Sequence, residues 1–152
     1  MLKIGSKAPD FALKDQNKKI AKLVSFKGKK VLLSFRPLAW TPVCHDQMKS
    51  LEEYHKRFEE LNTVAFGIGV DSSPSNKAWA ESMKITKTRI LADFWPHGEV
   101  AMAYGVFREK DGFSERANIV IDENQKVIFA RIYPIDDLPD IGEIIKFLSK
   151  SK

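Results

Sequence analysis

The chain has 152 residues, 25 Lys and Arg against 20 Asp and Glu, a formal charge of +5 and a single cysteine, Cys44. With 43% hydrophobic residues it has enough to build a sizeable core without metal or disulfide staples, and one thiol excludes any intramolecular disulfide. The positive charge does not make a nucleic-acid binder, because the lysines are scattered among acids and the denser groups, Lys18-Lys19 and Lys27 to Lys30, are short and lack an aromatic stacking platform.

No Pro/Gly/Ser-rich linker or internal repeat divides the sequence, so one domain spanning 1–152 is expected. Met1 to Ser6 lacks the apolar stretch of a signal peptide and no run reaches membrane-spanning length, which makes a reducing cytoplasm the expected compartment. In chain order, Phe11 to Phe26, broken by Asp15-Gln16-Asn17, reads as a hairpin added to a larger sheet. Val31 to Phe35 reads as a buried strand ending at Arg36-Pro37. Thr41 is a good N-cap and Pro42 suits a first helical position, so Val43 and Cys44 take the second and third. Met48, Leu51, Tyr54, Phe58 and Leu61 then fall on one face of that helix. Val64 to Val70, Asn118 to Ile121 and Val127 to Ile132 read as further strands, the last two joined by a turn at Asp122 to Gln125. Pro74 to Met83, Glu99 to Ala103 and Leu138 to Leu148 read as helices. Strands alternating with helices predict an α/β fold.

A lone cysteine in a globular chain is ordinarily a small buried hydrophobe. Cys44 has a different context: it sits in the first turn of a helix, where unpaired N–H groups and the positive end of the macrodipole favour an anion. His45, His55 and His97 are too dispersed to suggest a metal site, and no cofactor is called for. Trp40, Phe94, Trp95 and Phe107 fit an apolar collar around a pocket, a subunit interface, or ordinary core packing.

Pro37-Leu38-Ala39-Trp40-Thr41-Pro42-Val43-Cys44 fits the PxxxTxxC signature of the peroxiredoxins, thiol peroxidases on a thioredoxin-like fold. Gly5 to Phe11, Leu91 to Phe94 and Arg116 to Asp122 fall in that family's order, so the resemblance spans nearly the whole chain. Phe94-Trp95-Pro96-His97-Gly98, followed by Ala103 to Phe107, is most similar to the alkyl hydroperoxide reductase E branch of one-cysteine peroxiredoxins. The resemblance implies a central mixed β-sheet flanked by helices, with an N-terminal β-hairpin extension. It also implies a homodimer with the Trp95-to-Gly98 loop near its contact. Carried over by residue, it makes Cys44 the peroxidatic nucleophile, has Thr41 hydrogen-bond the peroxide, gives Pro37 the shielding of the pocket, and has Arg116 hold the thiolate and the peroxide oxygens. The alternative for Arg116 is a surface ion pair with Glu115 or Asp122; Arg36, Arg89, Arg108 and Arg131 sit at no motif position. Two residues depart from the family pattern: Gln47 stands where many members carry a carboxylate, and His45 where a small polar residue is usual.

The reaction implied is attack of the Cys44 thiolate on hydrogen peroxide or an organic hydroperoxide, leaving a sulfenic acid. A free thiol of pKa ~8.5 is about 3% ionised at pH 7, so complete ionisation gains only about thirtyfold. The rest of the acceleration must come from groups aimed at the breaking O–O bond, for which Thr41, Arg116 and the Cys44 N–H are the candidates. A dithiol oxidoreductase is excluded, because Gln47 occupies the place of the second sulfur in a CxxC pair. The remaining rival is a redox-silent thioredoxin-fold binding or chaperone-like module. As a peroxidase, the chain needs an external thiol to resolve the sulfenic acid: a low-molecular-weight thiol, thioredoxin or a glutaredoxin-like protein.

Overall fold

Two runs buried along their whole length, Lys30–Phe35 and Arg116–Ile121, decide the architecture. The computed structural model describes residues 1–151. Its main sheet has five strands: β3 (Lys30–Phe35), β4 (Thr63–Gly69), β5 (Arg89–Ala92), β8 (Arg116–Ile121) and β9 (Val127–Tyr133). Their order is β5-β4-β3-β8-β9. β3 and β4 pair in parallel, as do β4 and β5, whereas β3 with β8 and β8 with β9 are antiparallel, so the sheet is mixed. The parallel crossovers carry α1 (Pro42–Glu53), α2 (His55–Glu60) and α3 (Ser73–Met83). α4 (Glu99–Ala103) and α5 (Ile141–Lys150) follow β5 and β9.

Because successive strand residues point to opposite faces, each strand contributes to two cores. Leu33, Phe35, Ile68, Ala117 and Ile119 pack on one face with Phe11, Leu23 and Tyr104. Leu32 and Val120 pack on the other with Cys44, Met48 and Leu51 of α1, Trp79 of α3 and Ile144 of α5. The helix-facing side of β4 is thinned to glycine where α1 and the end of β3 press on it. A Cβ on Gly67 would meet the Met48 sulfur, and one on Gly69 would lie 2.7 Å from Arg36 Nη1.

Three expectations change. The N-terminal hairpin, β1 (Ala12–Lys14) with β2 (Ile20–Lys22), is its own two-stranded sheet rather than an addition to the main one. It reaches the edge of β5 through side chains: Gln16 donates to Thr88 O at 2.9 Å and accepts from the Ile90 N–H at 2.8 Å, while Arg89 Nε donates to Asp15 at 2.8 Å. An amide side chain thus blunts the sheet edge in place of a strand. The helix after Cys44 breaks at Tyr54, which is exposed, and the one-residue interruption lets Phe58 and Leu61 return to the core. β5, unassigned from sequence because its apolar run Ile90 to Ala92 is only three residues long, forms the edge strand, and a small ribbon of β6 (Phe107–Arg108) with β7 (Phe113–Ser114) precedes β8. Among the described residues no helix is long and apolar enough to cross a membrane.

Candidate active site

The site lies at the carboxyl end of β3. The Arg36 N–H still donates to Ile68 O at 3.0 Å, and the chain then leaves the sheet through buried Pro37. The loop turns sharply at Trp40, whose φ of +69° is unusual for a bulky residue. Helix α1 starts at Pro42 with Thr41 as its extended N-cap, as the sequence predicts, so Cys44 is its third residue. The first helical hydrogen bond runs from the His45 N–H to Thr41 O at 2.9 Å. The Val43 and Cys44 N–H groups therefore precede the hydrogen-bonded ladder. The Thr41 hydroxyl does not cap the helix. It donates to Leu38 O at 2.8 Å, which commits its hydrogen to the loop and leaves its lone pairs free.

Cys44 is fully buried. Arg116, the first residue of β8, reaches it from the neighbouring strand, with Nη1 3.2 Å from Cys44 Sγ. The same Nη1 donates to Gln47 Oε1 at 2.8 Å, and Nε donates to Ile135 O at 2.9 Å. Gln47, one turn after Cys44, is held by its own amide, which donates to Ser34 Oγ at 2.7 Å and Phe35 O at 3.1 Å. Neither Glu115 nor Asp122 pairs with Arg116. Glu115 instead bonds Arg108 at 3.3 Å.

Among the described residues Arg116 Nη2 makes no hydrogen bond within the protein, and Arg116 lines a cleft of about 240 Å³ walled by Pro37, Leu38, Thr41, Val43, Phe113 and Ile135. The cleft, which Asp136 also lines, therefore presents Arg116 and Thr41, and the buried Cys44 sulfur lies 3.2 Å from Arg116 Nη1. Larger hollows, of about 350 and 540 Å³, lie against α2 and beside the N-terminal hairpin. Neither touches Cys44, Thr41 or Arg116, so the smaller cleft is the one that chemistry selects.

All four residues singled out in the sequence, Pro37, Thr41, Cys44 and Arg116, meet here. The histidines do not: His45 pairs with Asp46 at 3.1 Å, His55 with Glu59 at 3.2 Å, and His97 bonds Gly112 O at 2.6 Å. Trp40, Phe94 and Trp95 are 56%, 51% and 81% exposed, which removes core packing as their explanation, whereas Phe107 is half-buried and packs against the core. Sequence reasoning missed the bridging part of Gln47 and the buried Arg36, whose guanidinium bonds Asp71 and Asn76, each at 2.7 Å. The available signal was a charged residue directly continuing an apolar strand.

The AhpC/TSA family profile matches residues 4–130. The chain is 41% identical over 133 residues to alkyl hydroperoxide reductase E of Mycobacterium tuberculosis, covering 87% of this chain and 86% of that protein. It is 35% identical over 150 residues to peroxiredoxin 2 of Thermoplasma acidophilum, covering 95% and 74%. The crystal structure of Enterococcus faecalis AhpC superposes with a TM-score of 0.91 at 25% identity, over 99% of this chain and 93% of the other.

Proposed function

This chain belongs to the AhpC/TSA family, and from that premise we propose a one-cysteine thiol peroxidase in which Cys44 is the nucleophile, Arg116 and Thr41 bind the peroxide, and Pro37 walls the pocket. The Cys44 thiolate attacks the outer oxygen of a hydroperoxide ROOH. The S–O bond forms as the O–O bond breaks, RO⁻ leaves and takes a proton, and the sulfur becomes a sulfenic acid. Thr41, with its hydrogen committed to Leu38 O, accepts the peroxide O–H. The free Nη2 edge of Arg116 donates to the oxygens as negative charge develops on them. An external thiol then condenses with the sulfenic acid, releasing water and forming a mixed disulfide, and a second thiol equivalent restores Cys44.

The observation that carries this reading is the Arg116 Nη1 to Cys44 Sγ contact of 3.2 Å between residues 72 apart in sequence. A redox-silent module has no need to place a buried guanidinium against its only thiol. The exposed Phe94 and Trp95 support a homodimer through that face, and the free thiol supports a reducing compartment such as the cytoplasm. The test is one equivalent of hydrogen peroxide against reduced protein, followed by tryptophan fluorescence in stopped flow and by mass spectrometry of Cys44. Stoichiometric sulfenylation far faster than a free thiol is expected, followed by return of the thiol with excess small thiol. Reaction no faster than that of a free thiol would leave only the binding-module reading.

A further inference from the structure

Resting on that peroxidase reading, we infer that the buried Arg36–Asp71 pair is a latch that seats the loop from Pro37 to Thr41, making Arg36 and Asp71 positioning residues for peroxide reduction at Cys44. Arg36 is completely buried. Its guanidinium bonds Asp71 Oδ2 through Nη1 and Asn76 Oδ1 through Nη2, each at 2.7 Å, and lies 4.6 Å from the Trp79 ring centre. Burial pulls its pKa down, and Asp71 opposes that pull. A buried ion pair is a poor stabiliser, since apolar packing of the same volume is commonly as good or better. Stability alone therefore gives little reason for an arginine here.

What the pair does hold is the loop. The Asp71 oxygen that bonds Arg36 also accepts the Ala39 N–H at 2.8 Å, midway between Pro37 and Thr41. The next residue, Trp40, is kept in the left-handed region, a conformation unfavourable for a bulky side chain that persists only where neighbours over-determine it. Asp71 is fixed in turn, its carbonyl accepting from Asn76 Nδ2 at 3.3 Å, and Arg36 O accepts from Ser114 Oγ at 3.2 Å. Gly69 leaves room for the guanidinium to pass, since a Cβ there would lie 3.0 Å from both Arg36 Cζ and Arg36 O. The strand end, the β4–α3 connection and the cysteine loop thus converge on one carboxylate. Releasing it frees Trp40 to relax, and Thr41 and the α1 N-terminus move with it.

The variants that test this remove both charges, so that none is left buried and unpaired. Arg36→Met with Asp71→Ala deletes the acceptor for Ala39, whereas Arg36→Met with Asp71→Asn keeps an oxygen there. The first should react with hydrogen peroxide about tenfold to a hundredfold more slowly than wild type, as expected for small misplacement of reacting groups. The second keeps an acceptor for the Ala39 N–H but lacks Arg36 to hold it, so it should recover only part of that loss; full recovery would overturn the role given to Arg36. Alkylation of Cys44 by iodoacetamide, which needs no peroxide geometry, should change less than about threefold in both. A peroxide rate within about threefold of wild type in the Ala variant overturns the inference. If that variant does not fold, the Ala39 amide of the wild-type protein decides: slowed hydrogen exchange supports the latch, and exchange at the rate of an open loop removes it. A wild-type peroxide rate equal to that of free cysteine would instead withdraw the peroxidase reading, and with it the catalytic half of this inference, while Ala39 exchange still reports the latch.

Discussion

Arg116→Lys separates charge from geometry at the thiol. The guanidinium spans three partners: Nε to Ile135 O at 2.9 Å, Nη1 to Gln47 Oε1 at 2.8 Å and Nη1 to Cys44 Sγ at 3.2 Å, with Nη2 open to the cleft. A lysine has a single nitrogen. Placed against the sulfur it leaves Ile135 O without its donor, and placed between Gln47 and the sulfur it has no second edge for the peroxide. A hydrogen bond from a charged donor contributes about 1.5–3 kcal/mol, so losing the one that meets the breaking O–O bond should slow peroxide reduction about ten- to 150-fold. The assay is the second-order rate constant for sulfenylation by stopped-flow fluorescence, with iodoacetamide alkylation as the control for the state of the thiol. Arg116→Met, which also removes the charge, should be slower still. A lysine variant within about threefold of wild type would refute the argument that donor geometry, rather than charge, limits the reaction.

Thr41→Ser should keep the peroxide rate within about threefold, whereas Thr41→Val, lacking the acceptor oxygen, should lose at least about tenfold; equal rates in the two would exclude the hydroxyl from substrate binding. Asp93 accepts the N–H groups of Val100 and Ala101 at 3.0 and 2.9 Å, yet burial pushes its carboxyl from 3.8 to about 6. Its folded value lies above its unfolded one, so stability from the neutral form falls as pH rises from about 4 to about 6, by about 2 kcal/mol. Urea unfolding should show Asp93→Asn gaining on wild type by that amount across this window, and a pH-independent difference would contradict it. The Glu52 carboxyl is raised by burial but more strongly lowered by the N–H groups of Thr86, Thr88 and Lys87, which hold it below its ordinary 4.5. Here the sign reverses: Glu52→Gln should cost about 1–2 kcal/mol at neutral pH, a deficit that shrinks as the pH falls below the ordinary 4.5 and acid protonates the wild-type carboxylate.

The strand from Val31, the helix start after Thr41 and the helical position of Cys44 were legible because each rests on chemistry within a few residues. The Arg116 partnership was legible only through motif order. Spacing says nothing about two residues 72 apart. It is the antiparallel register Phe35↔Ala117 that sets Arg116 beside the end of β3. The latch was hidden for the same reason, since Asp71 and Asn76 belong to the next crossover. The break at Tyr54 and the edge-covering amide of Gln16 have no local signature: one is a single-residue interruption of a sound helical period, the other a side chain doing the work of a strand.

Two-residue periodicity also explains why the polar groups of the site converge. On β3, Leu32 and Ser34 face α1, and Arg36 continues that parity past the strand end; on β8, Arg116, Asn118 and Val120 share the same face. Apolar residues occupy the sheet's depth on this face and polar ones its end, so sliding β8 by one residue would carry Arg116 to the opposite core and bring Ala117 to the thiol. Within the pocket the charges then divide by task. Asp71 offsets Arg36, and that pair is occupied with the loop. Gln47 gives Arg116 an oxygen without a charge, so the sulfur is the partner through which the guanidinium's charge acts. A carboxylate at position 47 would compete for it, which gives the departure from the family pattern at Gln47 a definite physical consequence at Cys44.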